Sequence, residues 1–64
     1  MLYTETKYPE KMKNLPEDVR RKAIKITNDM LVDGDIRHHK DFIIMKAILE
    51  AKQWAKWESD QNLN

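Results

Sequence analysis

The sequence predicts an all-α fold: a helical hairpin of two main helices with a short N-terminal helical turn. Three observations predict it. Apolar residues recur at three- and four-residue spacings through two separate stretches. A polar stretch divides them. The single glycine and the two prolines fall where a helix should start or stop.

The first element is the turn. Tyr8-Pro9-Glu10-Lys11-Met12-Lys13 places a glutamate directly after a proline, a helix-start pattern on a small scale. One helical turn is expected there. Residues 1 to 7 are expected to fray.

The second element is helix one, expected from about Pro16 to Asp33. Proline suits a first helical position, because the N–H it lacks would have no partner there. Glu17 and Asp18 bring negative charge to the positive end of the helix dipole. Gly34 can adopt the left-handed conformation that ends a helix. At about 100° per residue, Val19, Ala23, Ile24, Ile26, Met30 and Leu31 fall on one broad face. Arg21, Lys22, Lys25, Asn28, Asp29 and Val32 fall on the other. Asp18 is spaced to pair with Arg21 and Lys22, and Lys25 with Asp29.

Asp35-Ile36-Arg37-His38-His39-Lys40 reads as a polar connection, and Asp41 as the N-terminal cap of a second helix. Helix two is expected from about Phe42 to Glu58, with residues 59 to 64 fraying. Ile43, Ile44, Ala47, Ile48, Ala51, Trp54 and Ala55 share its main face, with Trp57 at the edge. Ala47 and Ala51 are small enough to let helix one come close. A short connection makes the two helices antiparallel neighbours.

Helix two carries a second apolar stripe opposite the first: Phe42, Met45 and Leu49, spaced i, i+3, i+7. A helix in a two-helix hairpin has no need of it. Either the N-terminal segment covers the stripe, through Leu2, Tyr3, Tyr8, Met12 or Leu15, or it is a homodimer seam or a docking surface for a partner. Lys46, Lys52, Gln53 and Lys56 would form a polar rim.

The chain has 64 residues, one domain at most. A domain this small has a marginal core, and many such domains rely on a disulfide, a metal or a partner chain. There is no cysteine, which excludes disulfides and thiolate metal sites. A partner chain is the support left open.

Twelve basic residues against eleven acidic ones give a net charge of +1. That is no electrostatic footprint for nucleic acid or a membrane surface. The N-terminus has no apolar h-region, so no signal peptide is expected. The longest apolar run, Phe42 to Met45, is far too short to span a membrane. A cytoplasmic location is expected.

Chemistry is sparse. His38, His39 and Asp41, with Asp33 and Asp35 nearby, are the metal-ligand candidates. Adjacent residues rarely converge on one ion, and the calcium-loop pattern is missing, so no metal site is predicted. The histidines could serve acid–base work, but the one serine, Ser59, lies in no nucleophile motif. No phosphate-binding glycine loop is present. The expectation is no enzyme, no cofactor and no small-molecule substrate. Arg21, Lys22 and Lys25 are the best nucleic-acid candidates, since basic side chains on one helix face can track phosphates. Glu17, Asp18 and Asp29 share that surface and oppose it. Trp54 is expected in the core. Trp57 is a candidate interface anchor.

Tyr8-Pro9, Lys13-Asn14-Leu15, Ala23-Ile24, Asn28, Gly34 and Ala51-Lys52-Gln53-Trp54-Ala55 together resemble short bacterial stress-associated proteins of the YdaT type. Leu15-Pro16 with Val19 and Ala23 more distantly resembles the ChaB family of cation transport regulators. The likeness spans about Tyr8 to Trp57. Thr27 departs from it, standing where alanine is usual. The resemblance implies a small helical accessory protein of bacteria, plasmids or phages, and brings no catalytic residues.

The functional expectation is a small protein-interaction or regulatory module. It would bind a partner, or a second copy, through Phe42, Met45, Leu49 and Trp57. The alternative is a nucleic-acid-associated protein using Arg21, Lys22 and Lys25.

Overall fold

A computed structural model describes residues 2–34 and 39–61, with side chains described as far as Ser59. It contains a 3₁₀ turn, Glu10–Met12, and two helices, α1 (Glu17–Val32) and α2 (Lys40–Gln61). No strand is present among the described residues. The all-α hairpin with a short N-terminal turn is therefore the observed architecture. Asp35 to His38, the first four residues of the expected connection, and residues 62 to 64 lie outside the described residues.

Pro16 sits one position earlier than expected. Its extended backbone (φ −54°, ψ 152°) makes it the residue before the helix, and its carbonyl accepts from the Arg20 N–H at 2.8 Å. It has no side-chain acceptor to offer the first turn. Asp18 supplies one: its carboxylate accepts from the Val19 N–H at 2.9 Å. Asp18 forms no ion pair with Arg21 or Lys22, the partners its spacing allowed. At the other end, Gly34 has φ +69° and its N–H reaches the Leu31 carbonyl at 3.2 Å, the left-handed stop the sequence predicted.

The second helix begins at Lys40 and runs to Gln61, two residues earlier and three later than expected. The His39 carbonyl accepts from the Ile43 N–H at 3.1 Å. Asp41 is thus inside the first turn rather than at the cap. Its charge still favours the positive end of the dipole.

Two contacts show that the helices run antiparallel. Lys22, early in α1, places its ammonium 5.4 Å from the ring centre of Trp54, late in α2. Lys40, at the start of α2, lies 5.3 Å over the ring of Tyr3, which is itself bonded to Asn28 late in α1. Ala23, Ala47 and Ala51 are fully buried, so small side chains stand where the core is tightest.

Met12 fills the space beside them. It is fully buried in one cluster with Val19, Ala23, Ile24, Ile44 and Ala51, and Tyr3, Tyr8 and Leu15 pack around that cluster. Arg20 holds this N-terminal layer in place. Its guanidinium donates to the Leu15 carbonyl at 3.1 Å and lies 5.1 Å over the Tyr8 ring. Each cation–aromatic contact of this kind is worth about 0.5–1 kcal/mol at an exposed site.

The core also contains Thr27, completely buried. Its hydroxyl donates to the Ala23 carbonyl one turn back at 2.8 Å, so no polar atom is stranded.

Candidate docking face of helix α2

A helix with a core on one side can expose only polar residues on the other, or it can expose something else. In α2, Ile43, Ile44, Ala47 and Ala51 are buried on the core side. On the opposite side Phe42 is 49% exposed, Met45 60% and Leu49 57%. The N-terminal layer packs against the main core, on the other side of the hairpin, and leaves Met45 and Leu49 exposed. Of the two sequence-based expectations for this stripe, cover by the N-terminal segment is the one the packing goes against.

The stripe lines an open groove of about 600 Å³, formed by Phe42, Met45, Lys46, Ile48, Leu49 and Lys52. Its floor is apolar and both charged residues on it are lysines. Lys56 lies further along the same line, seven residues after Leu49. Among the described residues, Lys46, Lys52 and Lys56 form no ion pair. Trp57 is 59% exposed. It lies about 100° round the helix from the axis of the stripe, beside it and not in it. Trp54, expected in the core, is half-buried beneath Lys22.

The basic candidates of α1 sit differently. Arg21 pairs with Glu5 at 2.8 Å and with Glu17 at 2.7 Å. Lys25 pairs with Asp29 at 3.3 Å, as its spacing predicted. Lys22 is half-buried against Trp54. Arg21 and Lys25 border a shallow hollow of about 340 Å³ that Glu5 and Asp29 share. Phosphates approaching this surface would displace carboxylates already in place.

His38 and Asp35, two of the metal-ligand candidates, lie outside the described residues. Among the described residues no three histidine or acidic side chains group as metal ligands. No helix among them is long and apolar enough to cross a membrane.

Comparison with known proteins finds no matching family model, no matching curated protein and no matching solved structure. The resemblance to YdaT-type and ChaB proteins therefore stays with the residues that carry it, and no activity is taken from it.

Proposed function

We propose that this chain is a small interaction or regulatory module of the cytoplasm. It binds a protein partner, or a second copy of itself, through Phe42, Met45 and Leu49, with Trp57 beside them. One observation carries the reading. Met45 and Leu49 lie one turn apart, mostly exposed, on a helix whose opposite face already builds the core. Burying an apolar side chain of this size contributes about 1.5–3 kcal/mol. A 64-residue domain with a marginal core would gain much by covering them.

The test is photo-crosslinking in cells that express the chain. A photoreactive residue at position 49 is expected to give a discrete adduct. Twice the chain's mass indicates a second copy, and any other defined mass a different protein. The same residue at position 25, on the α1 surface, should give none. Equal labelling from both positions, or none from either, overturns the reading.

The nucleic-acid alternative, through Arg21, Lys22 and Lys25, stands second because each already faces a group of this chain.

A further inference from the structure

The charge pattern of the α2 groove narrows its occupant, taking the docking reading above as given. Phe42, Met45 and Leu49 are spaced i, i+3, i+7. Lys52 and Lys56 continue that line with the same spacing, counted from Leu49. The face therefore has an apolar half of two turns followed by a basic half of two turns. From residue 42 to residue 56 it extends about 21 Å. Lys46 adds a third cation beside the apolar half, and no acidic residue lines the groove.

We infer that the occupant is an acidic amphipathic helix, with apolar anchors over about two turns and aspartates or glutamates over the next two. Helix-in-groove recognition uses such i, i+3, i+7 anchors. Carboxylates opposite Lys46, Lys52 and Lys56 would meet cations that have no ion-pair partner among the described residues.

A second copy fits the same face poorly. In parallel register its Lys52 and Lys56 meet their own counterparts. In antiparallel register they lie over the other chain's Phe42 and Met45. The apolar half is also too short to supply the roughly 800 Å² per partner of a standard stable interface. A membrane surface fits no better. Lys52 and Lys56 lie in line with the apolar residues rather than across the helix from them, where an interfacial helix carries its charge.

The probes are synthetic helical peptides with leucines at i, i+3 and i+7 and glutamates one and two turns further on. They are made with the glutamates after the leucines and with the glutamates before them. Control peptides carry lysine for glutamate. Binding is monitored by chemical shifts of the full chain. The better glutamate peptide should bind about tenfold more tightly than its lysine control and weaken with added salt. Shifts should concentrate on residues 42 to 56. The double variant Lys52→Glu/Lys56→Glu, both exposed positions, should reverse the preference.

Equal or tighter binding of the lysine peptides at this face overturns the acidic partner and leaves the docking reading standing. So does concentration-dependent self-association that Leu49→Lys abolishes. Binding to vesicles rich in anionic lipid, with no peptide binding, replaces the acidic helix by a membrane surface. If no peptide binds, no self-association occurs and crosslinking at position 49 gives nothing, both readings fall together.

Discussion

Asn28 holds Tyr3 by both of its backbone polar groups. The side-chain oxygen of Asn28 accepts from the Tyr3 N–H at 2.9 Å, and its amide nitrogen donates to the Tyr3 carbonyl at 2.9 Å. The two residues are 25 positions apart. The side-chain amide thus does for one residue what a neighbouring strand does for many: it satisfies donor and acceptor together. Tyr3 is thereby placed under Lys40, so one asparagine connects the N-terminal layer, α1 and the start of α2.

The first prediction concerns this tie. Asn28→Ala removes both hydrogen bonds, each worth about 0.5–1.5 kcal/mol net. Tyr3 is only half-buried, so water can take over part of the loss. A destabilisation of about 1–2 kcal/mol is expected in urea unfolding, with the Tyr3 amide losing its hydrogen-exchange protection. Asn28→Asp should do at least as much harm. It keeps an acceptor for the N–H but sets a carboxylate oxygen against the Tyr3 carbonyl. Unchanged exchange at Tyr3 in both variants would show that the segment is held by something else.

Thr27 gives a second prediction, for a buried polar group whose loss leaves no partner unsatisfied. Its hydroxyl bonds to the carbonyl of Ala23, an oxygen that the backbone N–H of residue 27 can also serve. Replacing the hydroxyl by a methyl group strands no partner. Thr27→Val is therefore expected to lie within about 1 kcal/mol of the parent, because the asymmetry that makes buried polar losses costly is absent. Thr27→Ala removes atoms from a completely buried position and should cost about 1–2 kcal/mol through the cavity it leaves. The check is the order of the two variants in one denaturation series. A loss of well over ~1 kcal/mol in Thr27→Val relative to the parent, about as large as in Thr27→Ala, would mean the hydroxyl has a role beyond filling space.

Much of this molecule can be read from its sequence, and the parts that cannot have a common cause. Pro16 and Gly34 bound α1 because proline's fixed φ and glycine's freedom to take a positive φ both act without tertiary context. The exposed stripe of α2 is a consequence of helical period alone, since Met45 and Leu49 point away from Ile44, Ala47 and Ala51. What period cannot supply is the path of a segment without period. Leu2, Tyr3, Tyr8, Met12 and Leu15 are apolar enough to cover either side of the hairpin. The choice falls to particular fits: Met12 among small alanines, Arg20 over Tyr8, and Asn28 on the Tyr3 backbone. Asn28 and Thr27 illustrate the same point. Helical period puts Thr27, four residues after Ala23 and three after Ile24, on the buried side of α1 and Asn28 on the other, half-covered side, but it does not say what either polar group bonds to. Their hydrogen bonds go to backbone groups, and these leave no trace in a pattern of side-chain types.

Close approach of the helices yields a third prediction. Ala51 is fully buried and shares a cluster with Met12, Ala23 and Ile44. Ala51→Leu adds three carbons where no space is left, and overpacking of this kind costs about 1–3 kcal/mol. Met12 has the more adaptable side chain and lies in a short turn, so it should yield before either helix does. The combined variant Ala51→Leu/Met12→Ala is expected to recover part of the loss, a positive coupling measurable in a double-mutant cycle. Simple additivity would mean that Met12 and Ala51 do not compete for the same volume.

The last prediction isolates backbone conformation from packing. Gly34 has φ +69°, and a Cβ added there would have no atom within 4 Å. Any penalty for a side chain is therefore conformational and not steric against neighbours. An L-residue in the left-handed region costs about 1–2 kcal/mol. Alanine also lowers the entropy of the unfolded chain, which offsets about 0.4–1 kcal/mol of that. Gly34→Ala should then destabilise by roughly 1 kcal/mol, the difference of the two. Gly34→Asn should fall between alanine and the parent, since asparagine enters the left-handed region more readily than other side chains. The expected order of stability is glycine, then asparagine, then alanine, read from urea midpoints at constant slope. If alanine matched glycine, the chain at residue 34 would have a right-handed exit of equal energy, and the hydrogen bond from its N–H to the Leu31 carbonyl would not be what ends α1.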